Sequence, residues 1–361
     1  MIPFVAFIQK EFFHILRDKR TMLILLVMPV VMILIFGFAI STEIRNINVV
    51  IVSPNQSESV RQIVEKIEAN EYFSVVGTLP SPHQIDRAMR SDRADIALVF
   101  DANFEQNASI QLVIDASNPM VATAEMFYLS GIMHAYFTNK LQGILPPQSI
   151  STNVRMLYNP QMKSSYNFVP GIMGLIFILI CAMMTSVSIV REKEVGTMEV
   201  LLASPVKPLH IIFAKMIPYF VISCVNLATI LLLAYFVLEI PMVGSLFWLC
   251  TLSIIYIVLA LALGLLISTV VTSQVAAMFG SLLGLMLPVL LLSGMMFPIE
   301  NMPIPLQVIS NVIPARWYIA AVRKLMIEGL AVSYIAKELF ILLGMTLFLI
   351  IIALKKFKNR L

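Results

Sequence analysis

Six long apolar runs, separated by short polar breaks, set the pattern of the chain. They are 21–42, 166–190, 209–238, 245–267, 275–297 and 339–354. Runs so apolar and so long are solvated by lipid, and they predict six spanning helices. Pro29 in the first and Pro288 in the fifth predict kinks. Gly280 and Gly284 in the fifth form a small-x-x-x-small pattern that lets helices approach closely. Ahead of the first run, Val5, Ile8, Phe12, Ile15 and Leu16 fall on one side of a helix and Lys10, His14, Arg17 and Asp18 on the other. That pattern over 1–20 predicts an amphipathic helix lying in the headgroup layer.

The break between the second and third runs, 191–208, is dense in charge: Arg191, Glu192, Lys193, Glu194, Glu199 and Lys207. Val195, Met198, Leu201 and Leu202 recur within it at helical spacing, which gives a short helix one apolar and one charged face. Such a face either rests on the lipid surface or docks into a separate protein.

Residues 43–165 read differently. Ile47 to Val52, Tyr72 to Gly77, Asp95 to Phe100 and Ser109 to Ile114 are β-branched or aromatic-rich strands. Glu58 to Glu68 has helical spacing, Ser81-Pro82 opens a helix through Arg90, and Asn118-Pro119 opens a longer one towards Gln142. Strands alternating with helices predict an α/β domain inserted between the first two spans. Late in the chain, 298–336 carries Pro298, Pro303, Pro305 and Pro314 and is too interrupted to span. Short helices dipping into one leaflet and returning are expected there, with Trp317 and Tyr318 at the interface.

Composition agrees with a membrane protein: 59% hydrophobic residues, 13% charged, and a mean hydropathy of +0.89. The net charge of +4 is too small to suggest a nucleic-acid partner, and its placement is more informative. Thr42 to Lys163 holds nine basic against twelve acidic residues. Positive excess sits before Thr21, between Arg191 and Lys215, and in the tail 355–361. The positive-inside rule then puts those three in the cytoplasm, both termini included, and the α/β domain outside it. Cys181, Cys224 and Cys250 all lie in apolar runs with no ligand spacing, so neither a disulfide framework nor a metal site is expected.

Two motifs carry a family resemblance. Glu192-Lys193-Glu194-x-Gly196-Thr197-Met198-Glu199-x-Leu201-Leu202-x-x-Pro205, preceded by Arg191, resembles the cytoplasmic signature of ABC-2 type transporter permeases. Ser293-Gly294-x-x-Phe297-Pro298-x-x-x-Met302-Pro303, followed by Ile313-Pro314-Ala315-Arg316, resembles their outer-leaflet signature. The large insert, with Asp115-x-Ser117-Asn118-Pro119, is similar to the drug-efflux subgroup. The resemblance implies a six-span, all-α membrane fold with an extracytoplasmic α/β domain and a cytoplasmic coupling helix. It implies a multi-pass subunit of a bacterial inner membrane exporting amphipathic drugs, lipids or related small molecules; sodium is an alternative cargo. Its expected partners are an ABC ATPase subunit, a second permease, the lipid bilayer and a periplasmic membrane-fusion adaptor. Glu192, Glu194, Gly196, Thr197, Met198, Glu199, Leu201, Leu202 and Pro205 would couple to the ATPase. Gly294, Phe297, Pro298, Pro303, Pro314 and Arg316 would shape the outer segment. On that reading Glu194→Arg or Leu201→Asp weakens retention of the ATPase. No Gly-Lys pair occurs, so no phosphate-cradling loop is present; ATP is expected on the partner and no cofactor on this chain. A membrane-anchored sensor or scaffold whose outer domain binds a ligand is the reading from another class. Six spans are more than it needs.

Overall fold

The computed structural model describes residues 2–39, 47–55, 57–91, 93–101, 104, 110–115, 119–141, 163, 165–198 and 208–358. The elements begin with helices α1 (Ile2–Arg17) and α2 (Lys19–Ala39), strand β1 (Ile47–Val52), helix α3 (Glu58–Glu68) and strand β2 (Phe73–Leu79). Helix α4 (Ile85–Arg90), strands β3 (Ile96–Phe100) and β4 (Ile110–Ile114) and helix α5 (Pro119–Leu141) follow. The rest is helical: α6 (Ser165–Glu194), α7 (Pro208–Phe236), α8 (Leu246–Ser268), α9 (Gln274–Leu292), α10 (Ile304–Ser310), α11 (Pro314–Met326) and α12 (Ala336–Lys358). They form two compact units, Met1–Ser41 with Leu157–Leu361, and Thr42–Met156.

In the first unit, six helices among the described residues are long and apolar enough to cross a membrane. The central one is α6: 72% of its apolar window is buried, against 17% for α2 and for α9. It packs against α8, α9, α2, α11 and α7, as a helix that is apolar all round must. Gly264 of α8 sets the closest approach. A Cβ there would lie 2.4 Å from the carbonyl oxygen of Ala182, so only glycine lets these backbones meet. The rings of Tyr256 and Tyr318 stack 4.1 Å apart in the core. Their hydroxyls are satisfied, Tyr256 donating to the carbonyl of Gly174 and Tyr318 sharing a hydrogen bond with Ser253, which is what permits full burial.

Several boundaries differ from the apolar runs, each for a local reason. Helix α6 continues past Val190 to Glu194, because the side chains of its last turn find partners described below. Helix α9 stops at Leu292 rather than Phe297: Gly294 takes a φ of +80°, which ends the helix, and Pro298 follows. Helix α12 starts at Ala336, where Glu338 pairs with Lys324 at 2.8 Å. The segment 298–336 consists of α10, α11 and two 3-10 turns, with Pro314 in the first turn of α11. A Cβ added at Gly280 or Gly284 would meet no atom within 4 Å, so among the described residues no helix packs closely on them.

The second unit is a four-stranded sheet of order β2-β1-β3-β4, with β1 parallel to both neighbours and β3 antiparallel to β4. Ile47, Val49 and Ile51 face α3 and α5, while Val50 and Val52 face α4. Cover on both faces explains why β1 reads as a continuous apolar run. Ser57 caps α3 by accepting from the backbone of Val60.

Within this unit Glu125 of α5 is buried, and its Oε2 has no hydrogen-bond partner among the described residues. Burial, then the charges of Asp95 and Asp115, push its pKa from 4.5 up to about 7. The folded unit therefore keeps a proton that the unfolded chain releases. Stability falls as pH rises from 4.5 to about 7, and above that the loss is complete. With solvent screening the cost is about 1–2 kcal/mol. Hydrogen exchange in the intact protein, corrected for intrinsic rates, should show α5 and β3 better protected at acidic than at alkaline pH. Glu125→Gln should remove that difference; an unchanged pH dependence in the variant would exclude Glu125 as its source.

Candidate functional site: a charged cluster at one end of the bundle

Helix α1 folds back on the bundle along Phe4, Ile8, Glu11 and Ile15, a line of positions three and four apart. Glu11 and Ile15 are buried, whereas Val5 and Leu16 are exposed. The expected apolar side is thus split, and an acid sits on the inward line. The reason is Lys215 of α7, which is 3% exposed and reaches Glu11 at 3.3 Å and Glu192 of α6 at 2.9 Å. Lys10 adds a second contact to Glu11 at 3.5 Å. Ions this far from water persist only when paired, so this cluster ties α1, α6 and α7 together. Asp18 turns the corner into α2 by accepting from the backbone and hydroxyl of Thr21.

The last turn of α6 is bonded to two further helices. Lys193 donates to the carbonyl of Ser268, at the end of α8, at 2.7 Å. The Glu194 carboxylate accepts from the backbone and side-chain nitrogens of Gln274, both at 3.0 Å, and so satisfies the open first turn of α9. Gly196, at a φ of +78°, ends the helix. Thr197 then bonds back to Glu192, and Met198 is buried among Ile189, Ile212, Leu265 and Ala353. Val195 is 66% exposed, so Val195 and Met198 do not share the one apolar face expected of them. Glu199, Leu201, Leu202 and Pro205 lie outside the described residues. One turn of α6 thereby holds the ends of four other helices: α1 through the Lys215 cluster, α7, α8 and α9.

The second motif lies at the other end of α9, 19 residues or about 28 Å away. There the carbonyl of Gly294 accepts from Arg323, which also bonds Asn167 at the start of α6. Arg316 donates to the carbonyl of Gln307 and to Ser310, and Trp317 donates to the carbonyl of Asn311, locking α10 to α11. Phe297 lines an apolar cavity of about 440 Å3 with Leu287, Leu291, Met302 and Leu306. Pro298 and Pro303 each precede a short helical turn. The two predicted residue groups therefore form separate sites, joined by α9. Glu11, Lys193, Lys215 and Gln274 are the site residues the motifs do not contain. Lys215 does leave a sequence signal, as the one Lys or Arg between Leu209 and Leu238. Among the described residues no group of three or more His, Cys, Asp or Glu is placed to hold a metal ion.

The family model described as "ABC-2 family transporter protein" matches residues 19–355, which covers the bundle, the inserted unit and both motifs. The chain belongs to the ABC-2 transporter family. Two relatives of this ABC-2 protein are probable multidrug ABC transporter permeases of Escherichia coli (strain K12). YbhR is 28% identical over 94% of each chain, and YbhS is 28% identical over 94% of this chain and 93% of its own. ABC transporter G family member 20 of Dictyostelium discoideum is 26% identical over 97% of this chain and 50% of its own. The ABC-2 protein is a multi-pass membrane protein.

Proposed function

We propose that this chain is the permease subunit of an ATP-driven exporter that moves amphipathic drugs, lipids or related small molecules out of a bacterial cell across the inner membrane. A separate ABC ATPase docks at the Arg191–Pro208 stretch. The Glu11–Lys215–Glu192 cluster and the Glu194–Gln274 contact carry its motion into α1, α7 and α9. That shared turn of α6 is the observation the proposal stands on, because a push on Gly196–Met198 cannot stay local. Both termini and the charged end lie in the cytoplasm, and the α/β unit lies outside, where it is placed to meet a periplasmic membrane-fusion adaptor. A second permease packs on the exposed face of α9, where Gly280 and Gly284 leave room for a close neighbour. The multidrug wording of the relatives' names supports the cargo class, and the apolar cavity at Phe297 is compatible with it.

Co-expression with ABC ATPases encoded by the same genome tests the assignment. One ATPase should remain bound through purification, and its turnover should rise with the permease present. A reporter fused at Asn103 should be active only outside the cytoplasm, and one at Leu361 only inside. Failure of every ATPase to bind would remove the exporter reading, and a reversed reporter pattern would remove the orientation.

A further inference from the structure

Beside the charged cluster lies a cavity of about 390 Å3, walled by the α1–α2 corner, the last turns of α6 and the first part of α7. Its two carboxylates are already engaged. Asp18 accepts from Thr21, and Glu192 is bonded to Lys215 and Thr197. Arg191 and His14 line the same cavity, and among the described residues neither side chain has a hydrogen-bond or ion-pair partner. The cavity thus presents two donor side chains, a guanidinium and an imidazole, that the described residues leave unmet. The rest of its wall includes Ile15, Met184 and Val187, which are apolar.

We propose that this cavity binds the phosphate of an anionic phospholipid, with Arg191 as the principal ligand and His14 beside it. A guanidinium offers a planar fork of donors that matches two phosphate oxygens at once. Arg191 is the first charged residue after the apolar stretch 166–190, so its side chain lies at the depth where headgroups end and acyl chains begin. A free anion would satisfy the donors and leave the apolar wall in water. A lipid satisfies both, its phosphate on Arg191 and its glycerol and upper chain along Ile15 and Met184. A phosphatidylglycerol headgroup brings hydroxyls that meet His14 and the Asp18 carboxylate, whereas a choline trimethylammonium neither donates nor accepts a hydrogen bond. The proposal rests on the bundle spanning a bilayer, and its test is read without an ATPase present.

The test uses the full-length protein, delipidated in detergent and titrated with short-chain phosphatidylglycerol or phosphatidylcholine of the same chain length. Phosphatidylglycerol should bind more tightly. Arg191→Gln should weaken that binding about tenfold, the loss of one or two charge-assisted hydrogen bonds, and Arg191→Lys should fall between. Because the Arg191 side chain makes no hydrogen bond among the described residues, the thermal midpoint of Arg191→Gln should match the wild type. If it does not, His14→Gln, expected to weaken binding by a smaller factor, decides the matter. Equal binding of the two lipids, or wild-type affinity in Arg191→Gln, overturns the proposal. Displacement of the lipid by millimolar inorganic phosphate assigns the site to a free anion and overturns the lipid assignment.

Discussion

Lys215→Met should destabilise the bundle by about 3–5 kcal/mol, because it leaves the carboxylates of Glu11 and Glu192 facing each other without a counter-ion. Both lie within 3.3 Å of the ammonium now, and Glu11 is almost wholly removed from water. Lys10, which is largely exposed, reaches Glu11 alone and cannot replace the missing charge. In detergent the thermal midpoint should fall on the order of 10 °C, with α1 the first segment to become accessible to protease. Adding Glu11→Gln and Glu192→Gln to Lys215→Met removes every charge of the triad, and most of the stability should return. Buried ion pairs are costly to break and cheap to replace as a unit. A single variant as stable as the wild type would mean the cluster is solvated in the membrane-embedded protein.

Glu194→Arg should separate docking from transmission. The motif by itself suggests that Glu194 meets the ATPase, so that its loss would weaken retention. The structure instead directs its carboxylate onto Gln274 at the start of α9. An arginine there would set a cation against the positive end of a helix and leave the backbone donor of Gln274 unmet. The ATPase should therefore still co-purify, while stimulation of its turnover by the permease drops on the order of tenfold. Loss of retention with unchanged stimulation per bound complex would return Glu194 to the docking surface. Leu201→Asp remains the substitution expected to weaken retention itself, since it puts a charge on an apolar position of the motif.

The helices and strands were readable because their signals are local. The apolar runs, the β-branched strand at 47–52, the helix at 58–68 and the Pro-interrupted segment after Phe297 each follow from spacing over a few turns. Boundaries were less readable, because they depend on tertiary partners: α6 runs to Glu194 only because Lys193 and Glu194 find Ser268 and Gln274. The apolar face drawn through Val5, Ile8, Phe12, Ile15 and Leu16 left out Glu11 for a related reason. Amphipathicity assumes that a charge seeks water, and Glu11 finds a buried lysine instead.

What the sequence determined alone is the six helices long and apolar enough to cross a membrane, the inserted sheet-and-helix segment and the family, since hydropathy and motif order survive without coordinates. The tertiary structure alone decided which charges belong together. Glu11 and Lys215 are 204 residues apart and Glu194 and Gln274 are 80 apart. Pairings at such distances leave no periodicity along the chain, because they are fixed by how the helices pack and not by what each helix is.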